Sequence, residues 1–331
     1  MDRKNTAMQN GKKDGASILR RVFSISEIGL LISFLVIFIF FSVASKYFFT
    51  VRNLSNILGQ ISLPLISAVG LSIVLFSGEV DISIGSLQAF VALPLVTIMN
   101  ATGSFALGAI AALAAGAIIG VINGFLVTRL KINSLITTLG MYYALRGAVY
   151  LITKKVAIAE RSGKDLFFLM GNGKLFHFLP YPSILMFVIL FVFMFIMKNT
   201  SYGRRIYAVG GSAEVARAIG IDVERMKFSA FVICSLLATI SAILLASRLG
   251  SANHLAGQGF EFQVVAAVVL GGVSLSGGVG TLLGAFIGVL ILGIIQNGLG
   301  MLNVSTMWQL AITGSIIILS VAIDELKKRH E

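Results

Sequence analysis

Charge is scarce in this chain. Asp, Glu, Lys and Arg make up 12% of its 331 residues, and 57% are hydrophobic. A soluble globular domain carries about 25% charged residues. With a mean hydropathy of +0.95, too little polar surface remains to cover a water-soluble particle, so the chain reads as an integral membrane protein. Cysteine is almost absent. Cys234 stands alone inside an apolar segment, which excludes a disulfide framework and a thiolate metal site. His177, His254 and His330 are scattered outside the apolar segments, so no metal centre is expected. No Gly-x-x-x-x-Gly-Lys-Ser/Thr loop occurs, which removes that route to cradling nucleotide phosphates. Gly277-Gly278-Val279-Gly280 lacks the lysine and the preceding strand. No Ser/His/Asp or paired-carboxylate arrangement suggests an enzyme. Alternating ten-residue strands are missing too, which tells against a β-barrel.

What the chain has is long apolar runs, suited to helices crossing a hydrocarbon core about 30 Å thick. Ten spans are expected: 28–45, 54–76, 84–99, 105–127, 135–152, 181–197, 228–246, 262–275, 280–298 and 307–323. The expected fold is an all-α polytopic membrane protein. It has a basic segment 1–27, one transmembrane domain 28–324 with an intracellular loop 198–227, and a tail 325–331. Met1–Ile25 holds no apolar core of a signal peptide, so the first span is expected to stay as an anchor. The net charge of +12 fits the rule that Lys and Arg collect on the inner face. With both termini inside, seventeen Lys and Arg fall inside and eight outside. Arg146 lies within a span.

The chain also repeats itself. Residues from about 54 to 152 resemble those from about 228 to 323. Gly120-Val121-Ile122-Asn123-Gly124 pairs with Gly293-Ile294-Ile295-Gln296-Asn297-Gly298, and Gly78-Glu79-Val80-Asp81-Ile82 with Gly257-Gln258-Gly259-Phe260-Glu261-Phe262. Spans two to five thus match spans seven to ten. An odd offset of five gives the copies opposite orientations, the inverted repeat of many transporters. The third and eighth spans are the shortest and occupy matching positions, which marks them as a substrate path. Their acidic openings are expected near opposite membrane faces. Gly116, Gly120 and Gly124, and likewise Gly280, Gly284 and Gly288, recur every four residues and would let neighbouring helices approach closely, within the chain or at a dimer seam.

Acidic residues near the spans are few: Glu27, Glu79, Asp81 and Glu261. Charge at membrane depth is costly, so each is a functional candidate. In Ser77-Gly78-Glu79-Val80-Asp81-Ile82-Ser83-Ile84-Gly85-Ser86, Asp81 or Ser83 can cap the next helix, and the broken backbone can line a polar cavity. The two roles are compatible. Asn123 and Asn297 can hydrogen-bond across helices or line a path. Gly210-Gly211-Ser212-Ala213-Glu214-Val215-Ala216-Arg217-Ala218-Ile219-Gly220 reads as one short helix. Ser212 is its N-cap, Glu214 lies at its positive end, and Gly220 is its stop. It is too short to stand alone, so it needs a surface on its own membrane domain or on a partner.

At these residues the chain resembles the permease subunits of bacterial ATP-binding-cassette sugar importers of the ribose, xylose, arabinose and galactoside type, over roughly residues 28–324. The carriers of the likeness are the segment 78–86, the loop from Tyr202-Gly203-Arg204-Arg205 to Arg217, and Ala266 to Gly278. Glu79 departs from the pattern, where an uncharged residue is usual, and so does Gln263, where aspartate is usual. The resemblance implies a homodimer or pseudo-dimer of permeases in the bacterial inner membrane, N-in and C-in. A separate cytoplasmic ATPase would hold ATP–Mg and drive it, an extracytoplasmic sugar-binding protein would feed it, and this chain would bind no cofactor or nucleic acid. The implied path residues are Glu79, Asp81, Ser83, Ser86, Asn123, Glu261, Gln263 and Asn297. The implied ATPase-coupling residues are Ser212, Glu214, Val215, Arg217, Ala218, Ile219 and Gly220. The competing class is an ion-coupled secondary carrier for a small polar solute, which needs carboxylates at the bilayer midplane and works without a partner.

Overall fold

The computed structural model describes residues 25–163 and 165–305, and beyond them 307–309, 311, 312, 314, 315 and 318. Nearly all of the segment 1–27, much of the tenth span and the tail 325–331 lie outside the described residues. The chain is mostly helical. In order it forms α1 (Ile25–Ala44), α2 (Val51–Phe76), α3 (Ile84–Thr102), α4 (Phe105–Thr128), α5 (Ser134–Thr153), β1 (Ile158–Ala159) and α6 (Asp165–Asn172). There follow β2 (Lys174–Leu175), β3 (Leu179–Pro180), α7 (Tyr181–Asn199), α8 (Ser201–Gly211), α9 (Ala213–Ala218), α10 (Val223–Leu249), β4 (Ser251–Ala252), α11 (Phe260–Leu270) and α12 (Leu282–Met301). Among the described residues, seven helices are long and apolar enough to cross a membrane: α2, α3, α4, α5, α7, α10 and α12. α1, apolar from Ile28, and α11 are shorter.

The helix ends follow local chemistry. Thr50, Ser104, Thr281 and Asp222 are N-caps whose side chains accept from the backbone N–H three residues on, at the starts of α2, α4, α12 and α10. Gly103 and Gly250 stop α3 and α10 in the left-handed conformation.

α2 and α10 are the centre of the molecule. From Ile61 to Phe76 every residue of α2 is buried, and Gly70 lies against the backbone of Cys234 on α10. Around this pair the packing is reciprocal. α4 packs along α10, and α12 packs along α2; α3 contacts α4 and α10, as α11 contacts α12 and α2. Hydrocarbon tails are as apolar as leucine, so close packing rather than water exclusion must hold such helices. The small-residue stripe of α4 serves that end. A methyl group on Gly120 would sit 2.9 Å from the Val232 Cα, and one on Gly116 would overlap Thr239. Both glycines face α10 of the same chain. On α12 a methyl group at Gly288 would overlap the Ala267 carbonyl.

Two expectations change. α3 runs to Thr102 and has 19 residues, long enough to count among the candidate spans, whereas α11 has 11. Gly280 precedes α12, in a turn with φ 123°, so the second stripe keeps only Gly284 and Gly288 on the helix. The described part of loop 153–180 is fastened to its neighbours. β1 pairs antiparallel with β4, and Asn100 at the end of α3 exchanges hydrogen bonds with Ala159 and Arg161.

Candidate functional site: two helix openings and the helix beneath them

The first opening lies between α2 and α3. Gly78, at φ 80°, turns the chain out of α2, and residues 79–82 run without helix into Ser83. Asp81 Oδ1 accepts from the Ser83 backbone N at 2.9 Å and from Ser83 Oγ at 2.6 Å. Asn123 Nδ2 of α4 donates to the same Ser83 Oγ at 3.0 Å. The broken backbone is held by α5: the Val80 N–H donates to Ser134 Oγ and the Ile82 N–H to Thr138 Oγ1. Ser86 Oγ donates to the Ser83 carbonyl. Asp81, Ser83, Ser86 and Asn123 are wholly buried. Four of the residues singled out in sequence are therefore one polar cluster. Asp81 forms a local turn onto Ser83, and Ser83 caps α3 without a side-chain bond. Glu79 stands apart, bound to Lys227 Nζ of α10 at 2.6 Å.

The second opening precedes α11. Gly259, at φ 76°, caps the helix with no side chain. Glu261 is 2% exposed, and its Oε2 has no hydrogen-bond partner. Gln263 Nε2 donates to Gln296 Oε1 at 3.1 Å. Asn297 accepts from Asn53 at 2.9 Å and donates to Gln60 at 3.4 Å. These amides flank a void of about 20 Å³ lined by Gln60, Pro64, Gln263 and Gln296, room for about one water molecule. Asn297 is half-buried where Asn123 is fully buried. The two openings are neighbours. A methyl group at Gly85, in the first turn of α3, would overlap the Glu261 carboxylate. The expectation of acidic openings near opposite faces does not hold for Glu261, because the helices that bear them converge inside the bundle.

Arg146 bridges this junction. Its Nη1 donates to the carbonyls of His254 and Ala256 at 2.9 and 3.0 Å, and its Nη2 approaches that of Gly85 at 3.5 Å. The guanidinium lies over the Tyr142 ring, 5.6 Å from its centroid. Sequence reading noted only that Arg146 lies in a span. A lone arginine in an apolar helix was the signal that could have promoted it.

Beneath the first opening lie α8 and α9, outside the candidate spans. Ser212 accepts from the Val215 N–H. Gly220, at φ 83°, closes a Schellman stop, with Gly220 N bonding Arg217 O and Ile221 N bonding Ala216 O. Ala216 is buried against the protein, while Glu214, Val215, Arg217, Ala218 and Ile219 are exposed. Arg217 pairs with Glu224 at 2.7 Å. α8 is joined to the end of α2 and to the turn between α11 and α12. Gly210 is so close to the Phe76 carbonyl and the Gly278 N–H that a methyl group would overlap the carbonyl, and Gly278 N donates to Phe76 O at 3.1 Å. Tyr207 Oη donates to the Gly280 carbonyl at 3.0 Å, and burial pushes its phenol well above the usual range. A cavity of about 650 Å³ opens nearby, lined in part by Glu79, Lys131, Asn133, Arg217 and Lys227.

This arrangement defines a polytopic membrane protein with interrupted helices at its centre and a short exposed helix outside its candidate spans, the makings of a transport subunit. The chain belongs to the family described as the branched-chain amino acid transport system / permease component, whose model matches residues 53–321. It is a non-enzymatic transport subunit. It is 38% identical to the ribose import permease protein RbsC of Escherichia coli strain K12 over 300 residues, covering 90% of this chain and 93% of that one. It is 37% identical to the L-arabinose ABC transporter permease protein AraH of Azospirillum brasilense, over 92% and 89% of the two chains. It is 32% identical to the xylose transport system permease protein XylH of Haemophilus influenzae, over 91% and 96%. No solved structure gives a significant match.

Proposed function

We propose that this chain forms the membrane path of an ATP-driven importer for a small sugar. The reading is carried by likeness to ribose, arabinose and xylose permeases over nine-tenths of the chain. The family description names branched-chain amino acids; the relatives, matched nearly end to end, favour a monosaccharide. The chain sits in a bacterial inner membrane with both termini inside and ten spans, the tenth beyond α12. Reciprocal packing of α4 on α10 and α12 on α2 supports an inverted repeat. Two copies pair, an extracytoplasmic binding protein delivers the sugar, and ATP–Mg binds a separate ATPase.

The polar path is proposed to run past Asp81, Ser83, Ser86, Asn123, Glu79, Glu261, Gln263 and Asn297. Hydroxyl, amide and carboxylate groups suit a polyol, which both donates and accepts. α9 is the proposed coupling helix. Val215 and Ile219 are 61% and 68% exposed, and together with exposed Ala218 they form the apolar face offered to the ATPase. Ala216 seats the opposite face.

The test is reconstitution in vesicles with and without the ATPase and the binding protein. ATP-dependent uptake of a radiolabelled pentose that needs both partners is expected. Uptake by the chain alone, driven by a proton or sodium gradient, would instead establish an ion-coupled carrier. Ala218→Glu would bury an unpaired charge in the ATPase contact, costly once desolvated. It should insert normally but fail to co-purify the ATPase.

A further inference from the structure

A buried guanidinium needs a reason. Arg146 is 6% exposed and lies about 18 Å along α5 from Ser134 at 1.5 Å per residue, well inside the apolar core. Arginine there is costly, and it is kept where it pairs or holds backbone carbonyls. Arg146 does the latter. One nitrogen takes the carbonyls of His254 and Ala256, in the chain leading from β4 into α11. The other approaches the Gly85 carbonyl at the first turn of α3. Glu261 stands at the first turn of α11, and its carboxylate lies against Gly85. Gly257 completes the join. A methyl group there would overlap the Gly85 carbonyl and lie 2.6 Å from the Gln88 Cβ. The lead-in to α11 has no side-chain cap and has few other fastenings.

We infer that Arg146 is the positioning residue of transport: it fastens the opening of α11 to the opening of α3, so that both openings move as one body when the path opens. The fork geometry is essential. A guanidinium presents several donors in a plane and reaches three carbonyls at once, whereas a lysine ammonium is a single point charge. The inference rests on the transport reading for its functional consequence. The geometry that it predicts can be measured apart from transport.

Spin labels at positions 97 and 258, both exposed, report the separation of α3 from the lead-in to α11. Buried Cys234 is changed to serine in all variants. With Arg146 present, electron–electron resonance should give one narrow distance distribution in each nucleotide state. Arg146→Gln should broaden it and lower pentose uptake at least tenfold. Arg146→Lys keeps the charge, loses the fork, and should fall between; it supplies the same comparison if Arg146→Gln does not reach the membrane. An unbroadened distribution, or uptake equal to that of the parent, in whichever of the two reaches the membrane would overturn the inference. Failure of the parent to transport any sugar would sink the functional reading instead, and the distance widths would still decide the role of Arg146.

Discussion

The two helix openings are built to different plans. The one before α3 is fastened by its own half of the chain: Asp81 holds Ser83, Asn123 holds Ser83, and Ser134 and Thr138 take the free N–H groups of Val80 and Ile82. Its core residues are fully buried. The one before α11 starts on a glycine with no side-chain cap. It carries a carboxylate oxygen without a partner, borders a crevice of amides, and is held by an arginine more than a hundred residues earlier. Neither opening is fully satisfied, since Asp81 Oδ2 and Asn123 Oδ1 at the first and Glu261 Oε2 at the second are buried without a partner, so what separates the two is where their fastenings come from. The first opening is therefore held by its own neighbours, and the second depends for its place on Arg146 and the join to the first.

The harshest way to break this contrast is to force the second half apart. Gly288→Val would drive a side chain into the Ala267 carbonyl. Backbone cannot step aside as a side chain can, and overpacking costs about 1–3 kcal/mol or more. Loss of folded protein from detergent extracts is expected, read by size-exclusion chromatography. Next is Asp81→Ala, which strips Ser83 of its acceptor and leaves buried donors unpaired at about 1–3 kcal/mol each. Uptake should fall at least tenfold or assembly should fail, whereas Glu79→Gln, which releases Lys227 at the rim, should keep most of the uptake. Full uptake by Asp81→Ala would show that the first opening does not depend on the bonds from Asp81 to Ser83.

A milder test compares access. Ser86 is fully buried and Gln263 is half-buried beside the crevice. In a Cys234→Ser background, a cysteine at 263 should react with a small polar thiol reagent at least several-fold faster than one at 86. Equal rates would erase the distinction between a sealed and an accessible opening. The smallest effect is expected at the surface. The Arg217 and Glu224 side chains are 52% and 32% exposed, and such pairs contribute about 0–1 kcal/mol. Glu224→Gln should therefore leave thermal stability within a degree or two and uptake nearly unchanged.

Much of this site was readable in the sequence because it uses local signals. Ser212, Glu214 and Gly220 punctuate α9 through bonds three to five residues long. The glycine and acidic residues of 78–86 announced a break in a helix that could not otherwise satisfy its backbone at depth. Arg146, Lys227 and Thr138 were passed over as functional residues for the opposite reason. Each acts on a segment far away in sequence, and a residue's distant partner leaves no periodic trace.

The amino-acid sequence by itself determined that this chain lives in a membrane. Scarce charge and long apolar runs leave no other solvent for it. It also determined where several helices start and stop, since caps and glycines act within a turn or two. Only tertiary structure decided which broken ends meet. Asn123 and Asn297 each stand just before a glycine in a similar apolar run, yet one is sealed against Ser83 and the other joins half-exposed amides around Asn53 and Gln60. Glu261 came to rest against Gly85, more than 170 residues earlier, because glycines at 85 and 257 let two backbones touch. Contacts of that range depend on how whole helices pack, and packing is a property of the assembled surfaces rather than of any one segment.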